Sequence, residues 1–182
     1  MSLAAFSTAL AVAPAPDGGY DNGTTAEGAD ALNSLTSGVD NTAIGFIALF
    51  NNTTGSENRA VGSNALFHGT SGNNNTAISS DGLTINTTGN NNTASGADAL
   101  SSNTAGFYNT AEAFQALANL LGSSSNIAIG YNAGINLFRS GNNVDIGNER
   151  PGQNPHWHQG NAHGHLYRRH CWRDSHWQPG RR

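Results

Sequence analysis

The stretch Asn41-Thr-Ala-Ile-Gly45 decides the fold, because close copies of it return every 17 residues along the chain. Asn58-Arg-Ala-Val-Gly62 and Asn126-Ile-Ala-Ile-Gly130 are two of these copies. A second row, eight residues into each unit, holds leucine, and a third row, fourteen residues in, holds glycine. Three rows that stay in phase over so many units predict a stack of structural repeats. The leucines are Leu32, Leu49, Leu66, Leu83, Leu100 and Leu117, and the glycines are Gly38, Gly55, Gly72, Gly89 and Gly106.

A unit of 17 residues is too short for a pair of helices, whose repeats exceed about 30 residues. The density of glycine and asparagine also disfavours helix. We therefore predict two short strands per unit, one in Asn41–Gly45 and one around Ala48–Phe50. A turn at Thr53–Gly55 should follow, with its glycine at a positive φ. Stacked in parallel at about 4.8 Å per coil, about eight units form an all-β solenoid of roughly 40 Å.

The residue types in each row indicate which side chains face inward. Alanine in the third position and the leucine row suit a narrow interior that accepts the same residue at every level. The fourth position is aliphatic in most units but Glu27, Ser95 or Glu112 in others, so it faces solvent or a partner chain. Exposed aliphatic residues on a rod with a thin core favour self-association. The candidate interface residues are Ile44, Val61, Ile78, Ile129 and Ile146, and the candidate solenoid core is the six leucines named above.

The copies of Asn-Thr-Ala-Ile-Gly resemble the head repeats of YadA-type trimeric autotransporter adhesins over about residues 24–148. Asn-Thr-Thr-Gly55 and Gly-Ala-Asp-Ala-Leu32 are also similar to repeats in long proteins of environmental bacteria. The resemblance implies a left-handed parallel β-roll that forms a homotrimer, with the candidate interface residues between the chains. It further implies an adhesive or structural role, secreted or at the bacterial outer membrane. Its surface ligand stays open between a matrix protein and a polysaccharide.

The segments outside the repeat differ in composition from it. Residues 1–13 are apolar and end in the small residues Ala11-Val12-Ala13, which is typical of a signal-peptide remnant. An ordinary apolar strand is the alternative for this segment. A linker at 14–23 leads to the solenoid at 24–149, and an irregular basic tail rich in His and Trp occupies 150–182. No segment approaches the roughly 18 apolar residues of a membrane span, so we expect no membrane insertion.

The tail loses the 17-residue phase and holds all three tryptophans, six of the seven histidines and the only cysteine. One interpretation is a zinc or nickel site, for which His156, His158, His163 and His165 are weak candidate ligands. A frameshifted gene is the favoured interpretation, because residues 153–177 can be back-translated and shifted by one nucleotide into a β-prone sequence. An ordinary basic tail is the third.

The repeat body contains few of the residues and none of the named motifs that would indicate catalysis. Its only histidine is His68, in a loop phase, and neither a Gly-x-x-x-x-Gly-Lys phosphate loop nor a His-Glu-x-x-His zinc motif is present. The strict spacing leaves no insertion to build a cleft. We therefore expect a protein that is not an enzyme and holds no cofactor. The acidic body, in a chain of net charge −4, gives no reason to expect nucleic acid as a partner.

Two further ladders offer alternatives for ligand binding. Asp30, Asp81 and Asp98 share the seventh position of their units and could hold calcium, although aspartate is also ordinary at a solvated turn. A partial threonine row in the second position could order water, so an ice-binding or other ligand-binding solenoid is the alternative function. That row consists of Thr42, Thr76, Thr93 and Thr110.

Overall fold

The structure is a computed structural model that describes residues 22–148. Within this range the chain forms eight strands of three residues and no helix. Consecutive strands pair in parallel and form a single sheet in sequence order. The predicted parallel β-solenoid with 17-residue coils is therefore confirmed. The strands are β1 Thr25–Glu27, β2 Thr42–Ile44, β3 Arg59–Val61, β4 Thr76–Ile78, β5 Thr93–Ser95, β6 Thr110–Glu112, β7 Ile127–Ile129 and β8 Val144–Ile146.

The register of the sheet places equivalent residues of successive coils beside each other. Ala43 of β2 pairs with Ala60 of β3, and Ile44 pairs with Val61. The central residue of every strand is buried and its two neighbours are at least partly exposed, because side chains of a strand alternate between its faces. Each row of the sequence thus becomes a row of stacked side chains along the rod.

The interior is narrow and is filled by the alanine and leucine rows. The structure places all six candidate core leucines inside, at most 4% exposed. A second alanine row, which includes Ala48 and Ala65, packs beside them. Two interior rows change in the last two described units, where Gly134 stands in the leucine row and Asp145 in the alanine row of the strands. The buried carboxylate of Asp145 accepts a hydrogen bond from the Gly134 backbone N–H at 2.7 Å.

The expected second strand around Ala48–Phe50 is wrong, because this stretch is a turn. Ile47 and Leu49 have φ of 50° and 51°, in the left-handed region. This conformation costs a non-glycine residue about 1–2 kcal/mol and interrupts an extended strand. Burial of the leucine side chain and bonds between coils offset that cost. The Leu49 N–H, for example, donates to the carbonyl oxygen of Ala65 at 3.0 Å.

The expectation of a positive φ at Gly55 is also wrong, since the five glycines of its row lie outside that region. Close approach of the coils requires glycine there instead. A Cβ on Gly55 would overlap the backbone oxygen of Gly72 and Oδ1 of Asn52. A side chain would therefore push the next coil away.

The asparagines that open the units form a buried ladder of amides, hereafter the first asparagine ladder. The backbone N–H and Nδ2 of Asn58 both donate to Oδ1 of Asn41, at 3.1 and 3.2 Å. Nδ2 of Asn58 also donates to the carbonyl oxygen of Gly72 at 2.8 Å. The bonds between amides repeat up to Asn143, and Thr24 begins the series by accepting from the Asn41 N–H. Buried amides cost free energy unless they are hydrogen-bonded, so this ladder fixes the coils in register.

A second asparagine ladder occupies the twelfth position of the units. Nδ2 of Asn103 donates to Oδ1 of Asn86 at 2.8 Å. Gly69 occupies the same position one coil earlier and offers no amide. As a consequence, Oδ1 of Asn52 is buried without a hydrogen-bond partner.

Candidate interaction surfaces

The outer sheet face consists of the second and fourth residues of the eight units, which point away from the core. The candidate interface residues all lie there, each between 37% and 51% exposed. Ile44, Val61 and Ile78 stack on three consecutive strands, and Ile129 and Ile146 stack on the last two. Ser95 and Glu112 separate the two groups. The face therefore carries two apolar patches divided by a polar gap.

Exposed aromatic side chains border these patches and were not identified from the sequence. Phe46 follows β2 and is 56% exposed. Phe114 and Tyr131 follow β6 and β7, with their rings stacked at a centroid distance of 5.5 Å. All three residues occupy the sixth position of their units, so a test of that row for aromatics would have found them. They add exposed apolar surface beyond the C-terminal ends of these strands.

A groove lies about half a coil away from the sheet. We call it the threonine groove, because threonines in the thirteenth position of successive units form its floor. It has a volume of about 600 Å³. Its residues carry no permanent charge, and His68 is its only ionisable side chain. The groove is lined by Ser34, Asn51, Thr53, His68, Thr70, Ile85, Thr87 and Thr104.

The threonine hydroxyls of this groove have a fixed orientation. Oγ1 of Thr53 donates to the carbonyl oxygen of Thr70 at 3.0 Å, and Oγ1 of Thr70 donates to that of Thr87 at 3.0 Å. The same bond joins Thr87 to Thr104 at 3.1 Å. Each hydroxyl has one proton, so the oxygen retains only acceptor capacity. This row was not identified from the sequence, although its spacing is as regular as that of the leucines.

His68 is an exposed turn residue, as its loop phase indicates, and it lines the threonine groove. Its Nδ1 lies 3.2 Å from Nδ2 of Asn51 one coil earlier. An amide nitrogen can only donate, so this contact is a hydrogen bond in the tautomer whose Nδ1 accepts and whose Nε2 carries the proton.

The candidate calcium ligands share one row but do not converge. Oδ1 of Asp81 accepts from Nδ2 of Asn64 at 2.9 Å, and Oδ2 of Asp98 accepts from Nε2 of Gln115 at 3.3 Å. Among residues 22–148, three or more His, Cys, Asp or Glu side chains nowhere come together in a way that could hold a metal. The candidate ligands His156, His158, His163 and His165 lie outside the described residues.

The threonines of the suggested ice-binding row lie half-buried on the outer sheet face. Arg59 interrupts this row with an exposed side chain, and Ile127 and Val144 end it. The row therefore presents no continuous array of hydroxyls.

Comparison with protein-family models, curated proteins and solved structures found no match to this chain. The described part of the chain also contains no helix that is long and apolar enough to cross a membrane.

Proposed function

We propose that this protein is a non-catalytic structural or adhesive head module of a secreted or cell-surface fibre, and that it associates as a homotrimer. The observation that carries the proposal is the stacked row of exposed aliphatic residues on the outer sheet face. Ile44, Val61 and Ile78 form a continuous apolar strip over three coils, with Phe46 beside it. Soluble monomers rarely leave such strips uncovered.

A second copy of the chain fits this strip better than a small ligand does. The strip is flat, because it is the outer face of a regular parallel sheet, and small ligands prefer concave sites. Its repeat along the rod matches that of an identical rod placed alongside. Glu112 and Ser95 in the middle of the face would restrict the register at which two copies can pack.

The residue inventory supports a binding or structural role over catalysis. In the described residues, the only histidine is His68, which lies beside Asn51, Phe67 and the groove threonines, with neither an acid nor a nucleophilic cysteine next to it. A general base needs a partner that orients it and a nucleophile within reach.

Light scattering on the purified full chain tests the proposal. The expected mass is three times the chain mass of 18.9 kDa. Ile44→Ser combined with Ile78→Ser should lower the mass to that of a monomer. Leu121→Ser is the matched control, because Leu121 is 47% exposed but lies in the thirteenth position, away from the sheet. A monodisperse folded monomer for the unmodified chain would refute the trimer.

A further inference from the structure

The threonines of the groove offer hydrogen-bond acceptors to a ligand, and this restricts which ligands the groove can bind. The carbonyl oxygen of Thr53 accepts from the backbone N–H groups of Thr36 and Ser37, at 2.9 and 3.0 Å, and from Oγ1 of Thr36 at 2.7 Å. The carbonyl of Thr70 is engaged in the same way by Thr53 and Thr54. The carbonyl oxygens of Thr53, Thr70, Thr87 and Thr104 are therefore engaged by the preceding coil, and the threonine hydroxyl oxygens remain as acceptors.

The engaged threonine carbonyls make a polypeptide strand a poor occupant. Addition of a strand to a sheet requires free N–H and C=O groups along an edge, and the carbonyls of these four threonines already accept bonds from the preceding coil. A polyanion is equally unsuited as a ligand. Its oxygens are hydrogen-bond acceptors, as are the threonine oxygens of the groove, and the groove contains no lysine or arginine to bind its charge. The complementary ligand is uncharged and rich in hydroxyl donors.

The groove also repeats along the rod. One threonine recurs per coil from Thr36 to Thr104, at the spacing of parallel strands, about 4.8 Å. The sugar rings of an extended β-linked glycan advance by a similar distance. Threonine methyls and the side chain of Ile85 supply apolar surface between the hydroxyls, which suits the C–H faces of sugar rings.

We propose that the threonine groove binds a neutral, extended β-linked polysaccharide along the axis of the solenoid. The hydroxyls of the sugar donate to the threonine oxygens, and Nε2–H of His68 donates to a sugar oxygen. This inference rests on the proposed adhesive function and deepens it by naming the class of ligand. Because the groove lies about half a coil from the sheet, packing of copies through the outer sheet face would leave it open.

Affinity electrophoresis of the full chain tests the groove. Native gels contain hydroxyethyl cellulose, mixed-linkage β-glucan, or alginate as a polyanion. The double variant Thr70→Val with Thr87→Val keeps the shape of the floor and removes two acceptor oxygens. Thr54→Val with Thr88→Val is the matched control, since these exposed threonines neither line the groove nor lie on the outer sheet face. Circular dichroism establishes that each variant is folded.

The expected result is retardation by one of the neutral glycans. Loss of two hydrogen bonds should weaken binding by about tenfold in the groove variant, with no change in the control. Absence of retardation by both neutral glycans, retardation by alginate alone, or equal retardation of the groove variant would overturn the assignment. Light scattering on the same samples separates the two proposals. A trimer without glycan binding refutes only the groove, and a monomer with groove-dependent binding refutes only the trimer.

Discussion

Replacement of Gly69 by asparagine should stabilise the solenoid, because the second asparagine ladder is broken there. Oδ1 of Asn52 is buried and has no partner, whereas Oδ1 of Asn86 accepts from Asn103 at 2.8 Å. The backbone at Gly69 already has the geometry of the intact ladder. Its N–H donates to Leu66 O at 3.0 Å, as that of Asn86 does to Leu83 O.

The side chain of the new asparagine should fit this position. A Cβ on Gly69 would lie 3.1 Å from the carbonyl oxygen of Leu66 and 3.8 Å from Cδ2 of Leu49. The first distance is tight, but Asn86 and Asn103 carry a Cβ in the same turn. Nδ2 of the new residue would donate to Asn52, and its Oδ1 would accept from Asn86.

Two effects contribute to the expected increase in the free energy of unfolding. Satisfying a buried acceptor is worth about 1–3 kcal/mol. Replacing glycine at an ordinary φ adds about 0.4–1 kcal/mol by restricting the unfolded chain. Gly69→Asn should therefore raise the free energy of unfolding by about 2 kcal/mol, while the control Gly69→Ala gains only the second term. Urea titration followed by circular dichroism measures both.

A double-mutant cycle isolates the hydrogen bond. Asn52→Leu removes the unpaired acceptor and places leucine where Leu35, Leu120 and Leu137 stand in other units. In that background the advantage of Gly69→Asn over Gly69→Ala should disappear. If Gly69→Asn is no more stable than Gly69→Ala in the unmodified chain, the unpaired oxygen of Asn52 is not the cause of any loss and the reasoning is refuted.

Two further substitutions test the backbone and the first asparagine ladder. Asn75→Ala removes the oxygen that accepts hydrogen bonds from both the N–H and Nδ2 of Asn92. It should lower the free energy of unfolding, measured in urea, by about 3 kcal/mol. The control Thr76→Ala, on the neighbouring exposed face, should lower it by less than about 1 kcal/mol. Equal losses for both would contradict the ladder. Ala113→Gly should raise the thermal midpoint, because Ala113 has a φ of 100° in a row that is otherwise mostly glycine, and relief of this strain is worth about 1 kcal/mol. A lower midpoint would show that the alanine methyl contributes more through packing than its backbone costs.

The period of 17 residues was sufficient to predict the coil, because each row in the sequence becomes one row in space. Burial followed from residue type, as for Leu49 and Ala43 inside and Ile44 outside. The conformation of the turns did not follow from residue type. Leucine has little tendency to adopt the left-handed region, so the φ of Leu49 depends on burial and on its bond to the next coil, which local sequence does not reveal.

Contacts between coils explain other points at which the structure differs from the sequence-based predictions. Gly55 was expected to serve its own turn, but the backbone of the following coil is what excludes a side chain there. Asn41 marked the phase of the repeat in the sequence, yet asparagine is usually a surface residue, so its burial at 0% exposure was not anticipated. The threonine groove was missed because a row of small polar residues resembles an ordinary solvated turn.

The first asparagine ladder also bears on how the gene can change length. Each unit from Asn58 to Asn126 donates through its amide to the preceding unit and accepts through its amide oxygen from the following one. Recombination that adds or removes one of these whole units therefore preserves the hydrogen bonds of the ladder. Deletion of residues 58–74 would place Asn75 on Asn41 with the bonds that Asn58 now makes. The same deletion removes Gly69 and brings Asn86 onto Asn52. A shorter descendant of this protein would thus inherit a repaired second asparagine ladder.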